Sequence, residues 1–375
     1  MSVRKRAWTT RKGEAKEAWI VDYSDQEGDR HIETFARKKD ADEYHATVKV
    51  DVRHGVHSAP SKSVTVAEAA ESWIKRVEAE GRERSTLASY RQHVNLHITP
   101  RIGKIKLAHL TPKKVEDFRD DLLLKLGRPL ARKVLTSLKS LLKAAKHTQV
   151  AADVSIGTDK RGKHKLEAGR DFPTPAEVKR LIEAADKDDK RRTLLLTAAL
   201  TGLRASELRG LRWSDIDLKT GELHVRQRAD RYGTIGAPKS DSSRRTVPLA
   251  PDLLAALKKW KLACPNGEAG LVFPTSTGRI DHHANMLRGL APIMIAAGVV
   301  DKEGGPKYAL HAFRHFFASW CINPKARGGR ELPAKEAQGL LGHSSIVMTL
   351  DLYGHMFPPA GDRTELAEAA RALLA

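Results

Sequence analysis

Leu310–Ser319 reads LHAFRHFFAS, and Leu341–His355 reads LGHSSIVMTLDLYGH. His311 and Arg314 are three residues apart, so they share one face of a helix. His343 sits in Gly342-His343-Ser344-Ser345, just before a second helical pattern. Tyr353 lies near that pattern's far end. Working outward, Thr174-Pro175-Ala176-Glu177 combines an N-cap, a proline at the first helical position and a capping-box glutamate. Helical spacing continues through Leu194–Leu200 and Ala205–Gly210. Three strand-like runs follow: Glu222–Arg226, a stretch around Thr234–Lys239, and Arg244–Leu249. Helices resume at Pro251–Trp260 and dominate to the end. Residues 172–375 therefore read as a mostly α domain with a small antiparallel sheet.

Two more islands in this domain carry reactive side chains, TGLRASEL (201–208) and APKSDSSRRTVPL (237–249). Arg204 follows a glycine at what reads as a helix junction. Lys239 lies in a polar turn. Two guanidiniums, a lysine, two imidazoles and a phenol suit phosphoryl transfer through a tyrosine. Arginine forks bind non-bridging phosphate oxygens bidentately and stabilise a pentacovalent transition state. The imidazoles can move protons or hold the phosphate, and the lysine can protonate a leaving oxygen. A phenol with an ordinary pKa of about 10 becomes a nucleophile when cationic neighbours lower it. The islands carry no acidic cluster suited to two-metal catalysis, so the cations are expected to replace metal ions. His311 and His315 are four apart, but the zinc-protease pattern requires Glu where Ala312 stands. His282-His283 reads as a solvated helix start.

Residues 63–150 read as all-helical. Thr65-Val-Ala-Glu68 is a capping box, Ser85 opens a second helix, and Thr111-Pro112 opens a third. Arg128 to about His147 forms a fourth, with Leu135, Leu138, Leu141 and Leu142 at helical spacing. Arg132, Lys133, Lys139, Lys143 and Lys146 lie elsewhere around it, where a solvated face and DNA contact are the two readings. Residues 1–57 read as a small module. Its strands Ala18–Tyr23 and His31–Ala36 flank a turn at Gln26–Asp29, and a helix runs from Lys38 to about Val52. Gly55–Ser63 and residues 151–171 have linker character. Gly157-x4-Gly162-Lys163 is a near miss for a phosphate-binding loop, since His164 stands where a magnesium-binding hydroxyl is needed.

The 375 residues carry 66 Lys and Arg against 46 Asp and Glu, a net charge of +20. That excess favours a polyanionic partner. Residues 63–150 alone hold net +9, the highest density in the chain. Two cysteines, Cys264 and Cys321, form neither a metal spacing nor a disulfide framework, which suits a reducing cytosol. The apolar stretch Leu290–Val300 is too short to span a bilayer. No apolar region follows the basic N-terminus, so neither a signal peptide nor a membrane anchor is expected.

The four islands resemble the tyrosine recombinases, and the chain as a whole resembles phage-type integrases. That family's site runs Arg, Lys, His-x-x-Arg, His or Trp, and Tyr. Arg204, Lys239, His311, Arg314, His343 and Tyr353 follow that order. The resemblance implies that Tyr353 attacks a scissile phosphate, leaving a 3′-phosphotyrosyl link and a free 5′-hydroxyl. Two rounds of strand exchange then pass through a Holliday junction, without cofactor or metal. It implies Arg204 and Arg314 as the phosphate clamp, His311 and His343 as proton-transfer groups or phosphate ligands, Lys239 as general acid, and Glu207 as a buttress. Residues 63–150 resemble the SAM-like core-binding domain, and 1–57, more weakly, an arm-type DNA-binding module. The expected partners are double-stranded attachment-site DNA and three further copies in a tetramer. A directionality factor and a DNA-bending host protein are possible accessories, and the expected location is cytoplasmic, with the nucleoid.

The stretch Asn323–Glu336 looks longer and more basic than the family's usual connection, either as a plain surface insertion or as a DNA or protomer contact. The tail 358–375 has Glu365, Leu366, Ala369, Leu373 and Leu374 at helical spacing, for packing on its own domain or on a neighbouring protomer. Integration and excision of a phage or other mobile element is the leading function. A dimer-resolving recombinase is the alternative, although such proteins generally lack the first module. A type IB topoisomerase fits less well, and a regulator with a dead site conflicts with intact Arg204, Arg314 and Tyr353.

Overall fold

The computed structural model describes residues 2–9, 14–25, 27–53, 63–157, 165–357 and 363–374. It separates into two compact units, Met1–Asp159 and Lys160–Ala375.

The first unit opens with an antiparallel sheet, β1 (Ser2–Thr9), β2 (Ala15–Ser24) and β3 (Arg30–Phe35), in that order. The basic N-terminus is thus a strand, and its cations pair across the ladder: Arg4 with Asp22 and Lys5 with Glu17. In the β2–β3 turn, the Asp25 carboxylate accepts the backbone N–H groups of Glu27 and Asp29. Gln26 lies outside the described residues. Helix α1 (Lys38–Arg53) covers the sheet, burying Ala41 and Val48 against Val21 and Tyr23.

Five helices follow: α2 (Val66–Ala79), α3 (Arg84–His93), the short α4 (Thr99–Ile102), α5 (Pro112–Lys125) and α6 (Arg128–Ala144). The Thr65–Glu68 capping box and the Thr111 N-cap form as expected. Helix α3 starts one residue earlier than Ser85, and a π-helical turn, Val94–Ile98, links it to α4. Trp73, Leu87, Ile98, Phe118, Leu135, Leu138 and Leu142 share one core. Within it, His93 and Ser137 are bonded at 2.8 Å. Val154 and Ile156, read as linker, bury in the same core. Two of the α6 cations hold that segment: Arg132 donates to the carbonyls of Ile156 and Gly157, and Lys139 to that of Ala152. The linker residues 55–62 and the near-miss loop residues 158–164 lie outside the described residues.

The second unit contains α7 (Pro175–Ala184), α8 (Asp189–Thr201), α9 (Ala205–Gly210), β4 (Ile216–Asp217), β5 (Glu222–Val225), β6 (Arg228–Ala229), β7 (Ile235–Gly236) and β8 (Arg245–Pro248). Then come α10 (Pro251–Ala263), α11 (His283–Ala296), α12 (Leu310–Ile322), α13 (Ala334–Leu341), α14 (Ile346–Tyr353) and α15 (Arg363–Leu374). The sheets are antiparallel, ordered β4-β5-β8 and β6-β7. Helix α8 is buried over Thr193–Ala199 and packs on α10 and α12. A helix buried on every side over such a stretch belongs at the centre of a core.

The Asn323–Glu336 stretch folds back on α12. Arg330 and Leu332 donate backbone bonds to Trp320 and Cys321, and the Arg330 guanidinium stacks 5.3 Å from the Trp320 ring centroid. In α15, Leu373 and Leu374 are exposed, so they do not pack on their own domain; the side chains of Glu365, Leu366 and Ala369 lie outside the described residues. Among the described residues no helix is long and apolar enough to cross a membrane.

Candidate active site

Two helix ends build this site. Helices α8 and α13 both stop at a left-handed glycine, Gly202 (φ 61°) and Gly342 (φ 62°). The last carbonyls of a helix lack intrahelical donors and carry the negative end of its dipole. Here guanidiniums serve them. Arg314, buried in α12, donates to Gly202 O (2.6 Å) and to Leu341 O. Arg204 donates to Gly342 O (2.9 Å), and Arg245 of β8 donates through Nε to Leu340 O (2.7 Å). Any side chain at 202 would meet the Phe317 ring at 2.3 Å. The glycines of TGLR and LGH thus place the carbonyls that hold the arginines.

One carboxylate joins the cations. Glu207 is only 3% exposed. It accepts the Arg204 backbone N–H and Nη1 (both 2.8 Å), and Arg245 Nη2 (2.9 Å) and Nη1 (3.3 Å). Burial works to raise its pKa, but Arg245 and Arg204 outweigh it and hold the carboxyl below its ordinary range. Burial, reinforced by repulsion from Arg204 and Arg245, pushes Arg314 down to about 9, so it remains a cation at neutral pH. Three guanidiniums against one carboxylate leave two positive charges uncompensated.

The imidazoles are neutral. Burial, then Arg314, Arg204 and Arg245, push His343 down to about 4. Its Nδ1 meets the hydroxyl of fully buried Thr349 at 2.9 Å. Partial loss of hydration, with Arg314 and Arg204, also lowers His311, although its ring keeps solvent contact. Tyr353, at the end of α14, is 1% exposed, and its hydroxyl meets His315 Nδ1 at 2.6 Å. Its pKa is raised: burial dominates, and the opposing pull of Arg314 is too weak to reverse it. The sequence reading had cations lowering this phenol; in the free protein desolvation wins instead.

The structure therefore gathers Arg204, Glu207, Arg314, His311, His343 and Tyr353. Lys239 is exposed on the loop leading to Ser243, whose hydroxyl accepts from Arg204 Nη1 (3.3 Å). It has no hydrogen-bond or ion-pair partner among the described residues. Sequence reasoning missed Arg245 and the Tyr353 contact of His315. A signal existed for Arg245: it shares a strand face with buried Val247, so it points inward. His315 lies one turn beyond His311, and its sequence spacing suggests only the zinc pattern that Ala312 excludes.

A buried tyrosine thus lies beside a pocket with spare positive charge, an arrangement that can take an anion. Comparison with known proteins gives the family. Residues 172–358 match the model of the Phage integrase family, and 65–123 match that of the Phage integrase, N-terminal SAM-like domain. The Tyrosine recombinase XerC-like protein of Caldanaerobacter subterraneus subsp. tengcongensis is 26% identical, with 86% of each chain covered. The ICEBs1 integrase of Bacillus subtilis is 28% identical over 71% of this chain and 72% of that one. Among solved structures, the Tn1549 transposon integrase in complex with transposon right end DNA shares the fold, at 20% identity and a TM-score of 0.61 over 83% of this chain and all of that one. So does a lambda integrase tetramer bound to a Holliday junction, at 18% identity and 0.58 over 95% and 96%. The chain belongs to the phage integrase family, the tyrosine recombinases, enzymes that cleave and rejoin DNA strands. Within it the chain is a site-specific recombinase of the mobile-element kind.

Proposed function

We propose that Tyr353 is the nucleophile and that Arg204 and Arg314 clamp the scissile phosphate of duplex attachment-site DNA. The observation that carries this reading is the charge imbalance around Glu207: two uncompensated guanidinium charges await an anion beside a buried phenol. Those charges stabilise the extra negative charge of the pentacovalent transition state without reorganising at the moment of reaction. A bound phosphate also offsets the repulsion that Arg314 and Arg204 exert on the histidines. If Thr349 donates to His343 Nδ1, the ring's proton sits on Nε2, ready to donate to a phosphate oxygen. His311 is the solvent-facing second imidazole. Arg245 and Glu207 hold the clamp rather than touch the phosphate. Lys239, on its exposed loop, is the general acid for the 5′-oxygen.

On this reading Tyr353 Oη forms the bond to phosphorus as the bond to the 5′-oxygen breaks; its proton leaves through the neutral imidazoles beside it, and Lys239 protonates the departing 5′-oxygen. Residues 63–150, with their net +9, form the core-binding domain. Residues 1–57 are the arm-type module, the part of 151–171 beyond the docked Val154 and Ile156 connects, and 172–375 cleave. Four copies act together on paired sites, and exposed Leu373 and Leu374 suit docking on a neighbouring copy. The lambda integrase tetramer on a Holliday junction supports that assembly by likeness of fold.

The test is a denaturing gel. Wild-type and Tyr353→Phe protein are incubated in EDTA, without ATP, with candidate attachment DNA nicked beside the cleavage position. Wild type should form a covalent protein–DNA adduct, while Tyr353→Phe should bind equally and form none. An adduct that survives in Tyr353→Phe would remove the tyrosine from its role, and one abolished by EDTA would point to a metal-dependent nuclease.

A further inference from the structure

We infer that His315 is a positioning residue for the nucleophile, its Nδ1 accepting the Tyr353 hydroxyl hydrogen and so fixing the direction in which the oxygen's lone pairs face. The inference rests on the reading of Tyr353 as the attacking group. The two atoms are 2.6 Å apart, and Tyr353 Oη has no other hydrogen-bond partner among the described residues. Both side chains are held. Tyr353 packs in a cluster with Phe317, Cys321, Ile322, Ala337 and Leu341. The His315 ring stands edge-on to His311, with centroids 4.7 Å apart and planes at 82°.

Packing fixes the phenol oxygen but leaves its hydrogen free to rotate about the C–O bond. An acceptor at Nδ1 removes that freedom and turns the lone pairs away from His315. The ring suits this task because it is uncharged: burial, then His311 and Arg314, push it down to about 4. The same environment argues against a resident base. The phenol is raised and the imidazole lowered, so the proton stays on oxygen in the free protein.

His315→Asn and His315→Leu in the full chain test the inference. The asparagine side chain keeps a hydrogen-bonding atom near the Nδ1 position, and leucine has none. The first readout is the Cζ resonance of Tyr353 in 13C-tyrosine-labelled protein without DNA, assigned by its loss in Tyr353→Phe. It should move in His315→Leu and return towards wild type in His315→Asn. The second readout is single-turnover adduct formation on the nicked DNA. His315→Leu should be about 10- to 100-fold slower, as expected for a misplaced reacting group, with DNA binding unchanged and His315→Asn largely restored. Wild-type adduct rates in His315→Leu, or a resonance that stays put, would overturn the inference. So would equal losses in both variants accompanied by lowered melting temperatures, since packing would then explain the contact. If the resonance moves but wild type forms no adduct, the nucleophile reading fails and takes the positioning role with it, while the hydrogen bond stands.

Discussion

Replacing Glu207 by glutamine should cost the catalytic unit far more than its near-identical shape suggests. The carboxylate is 3% exposed and is bonded by Arg204 and by Arg245, whose side chain is 5% exposed. Removing one partner of a buried ion pair leaves the other charge stranded, at about 3–5 kcal/mol. Glutamine keeps one carbonyl oxygen, which can still accept the Arg204 backbone N–H, so the low end applies. For a unit of this size each kcal/mol moves the melting temperature by about 2–4 °C. The unfolding transition of the second unit should therefore fall by about 6–12 °C in E207Q. Calorimetry on the full chain measures it. The double variant E207Q/R245M, which removes a stranded cation as well, should recover part of the loss. Because Arg204 Nη1 loses its carboxylate partner and keeps only the longer bond to Ser243, adduct formation should drop even below the melting temperature. Acid supplies an independent sign. The folded Glu207 carboxyl lies below its unfolded value of about 4.3, so its stabilisation is full above that pH and drains as pH falls through the folded value. E207Q should lack that part of the acid slope. A melting shift under about 1 °C, where the ion-pair cost predicts several degrees, would refute the claim that this carboxylate organises the guanidiniums.

Two further outcomes follow from the same geometry. Gly202→Ala forces a left-handed alanine whose Cβ meets the Phe317 ring, for about 2–4 kcal/mol of lost stability and a displaced Arg204, seen as a lower melting temperature and slower adduct formation. His315 and His343 sit near 4 when folded but near 6.5 when unfolded, so the unfolded chain binds more protons between those values and stability must fall as pH drops through that window. Melting temperatures from pH 7 to 4.5 should decline, less so for the double variant H315N/H343N; equal slopes would show that neither ring is held neutral.

The helices were legible wherever a local signal closed them. The Thr65 and Thr174 capping boxes and the Thr111-Pro112 start each satisfy backbone donors within one turn, so residues three apart suffice to read them. Strand β1 was not legible, because RKRA has no apolar alternation; its place depends on Asp22 and Glu17 of β2. Val154 and Ile156 looked like linker because two isolated apolar residues carry no period, and only α6 cations bonding the segment's carbonyls reveal its docking. At the site, residue types and their order could be read, but not their charge states. A phenol among arginines looks activated on paper. In the folded chain desolvation outweighs the one guanidinium that acts on Tyr353, and the cations instead face Glu207 and helix-end carbonyls. That division has a mechanistic consequence. On the proposed reading, a nucleophile that stays protonated in the free protein is guarded against stray phosphates, and its activation awaits the substrate. An arriving phosphodiester supplies what the free pocket lacks, an anion to occupy the spare guanidinium charge, and only then does losing the phenolic proton become part of bond formation rather than a separate cost.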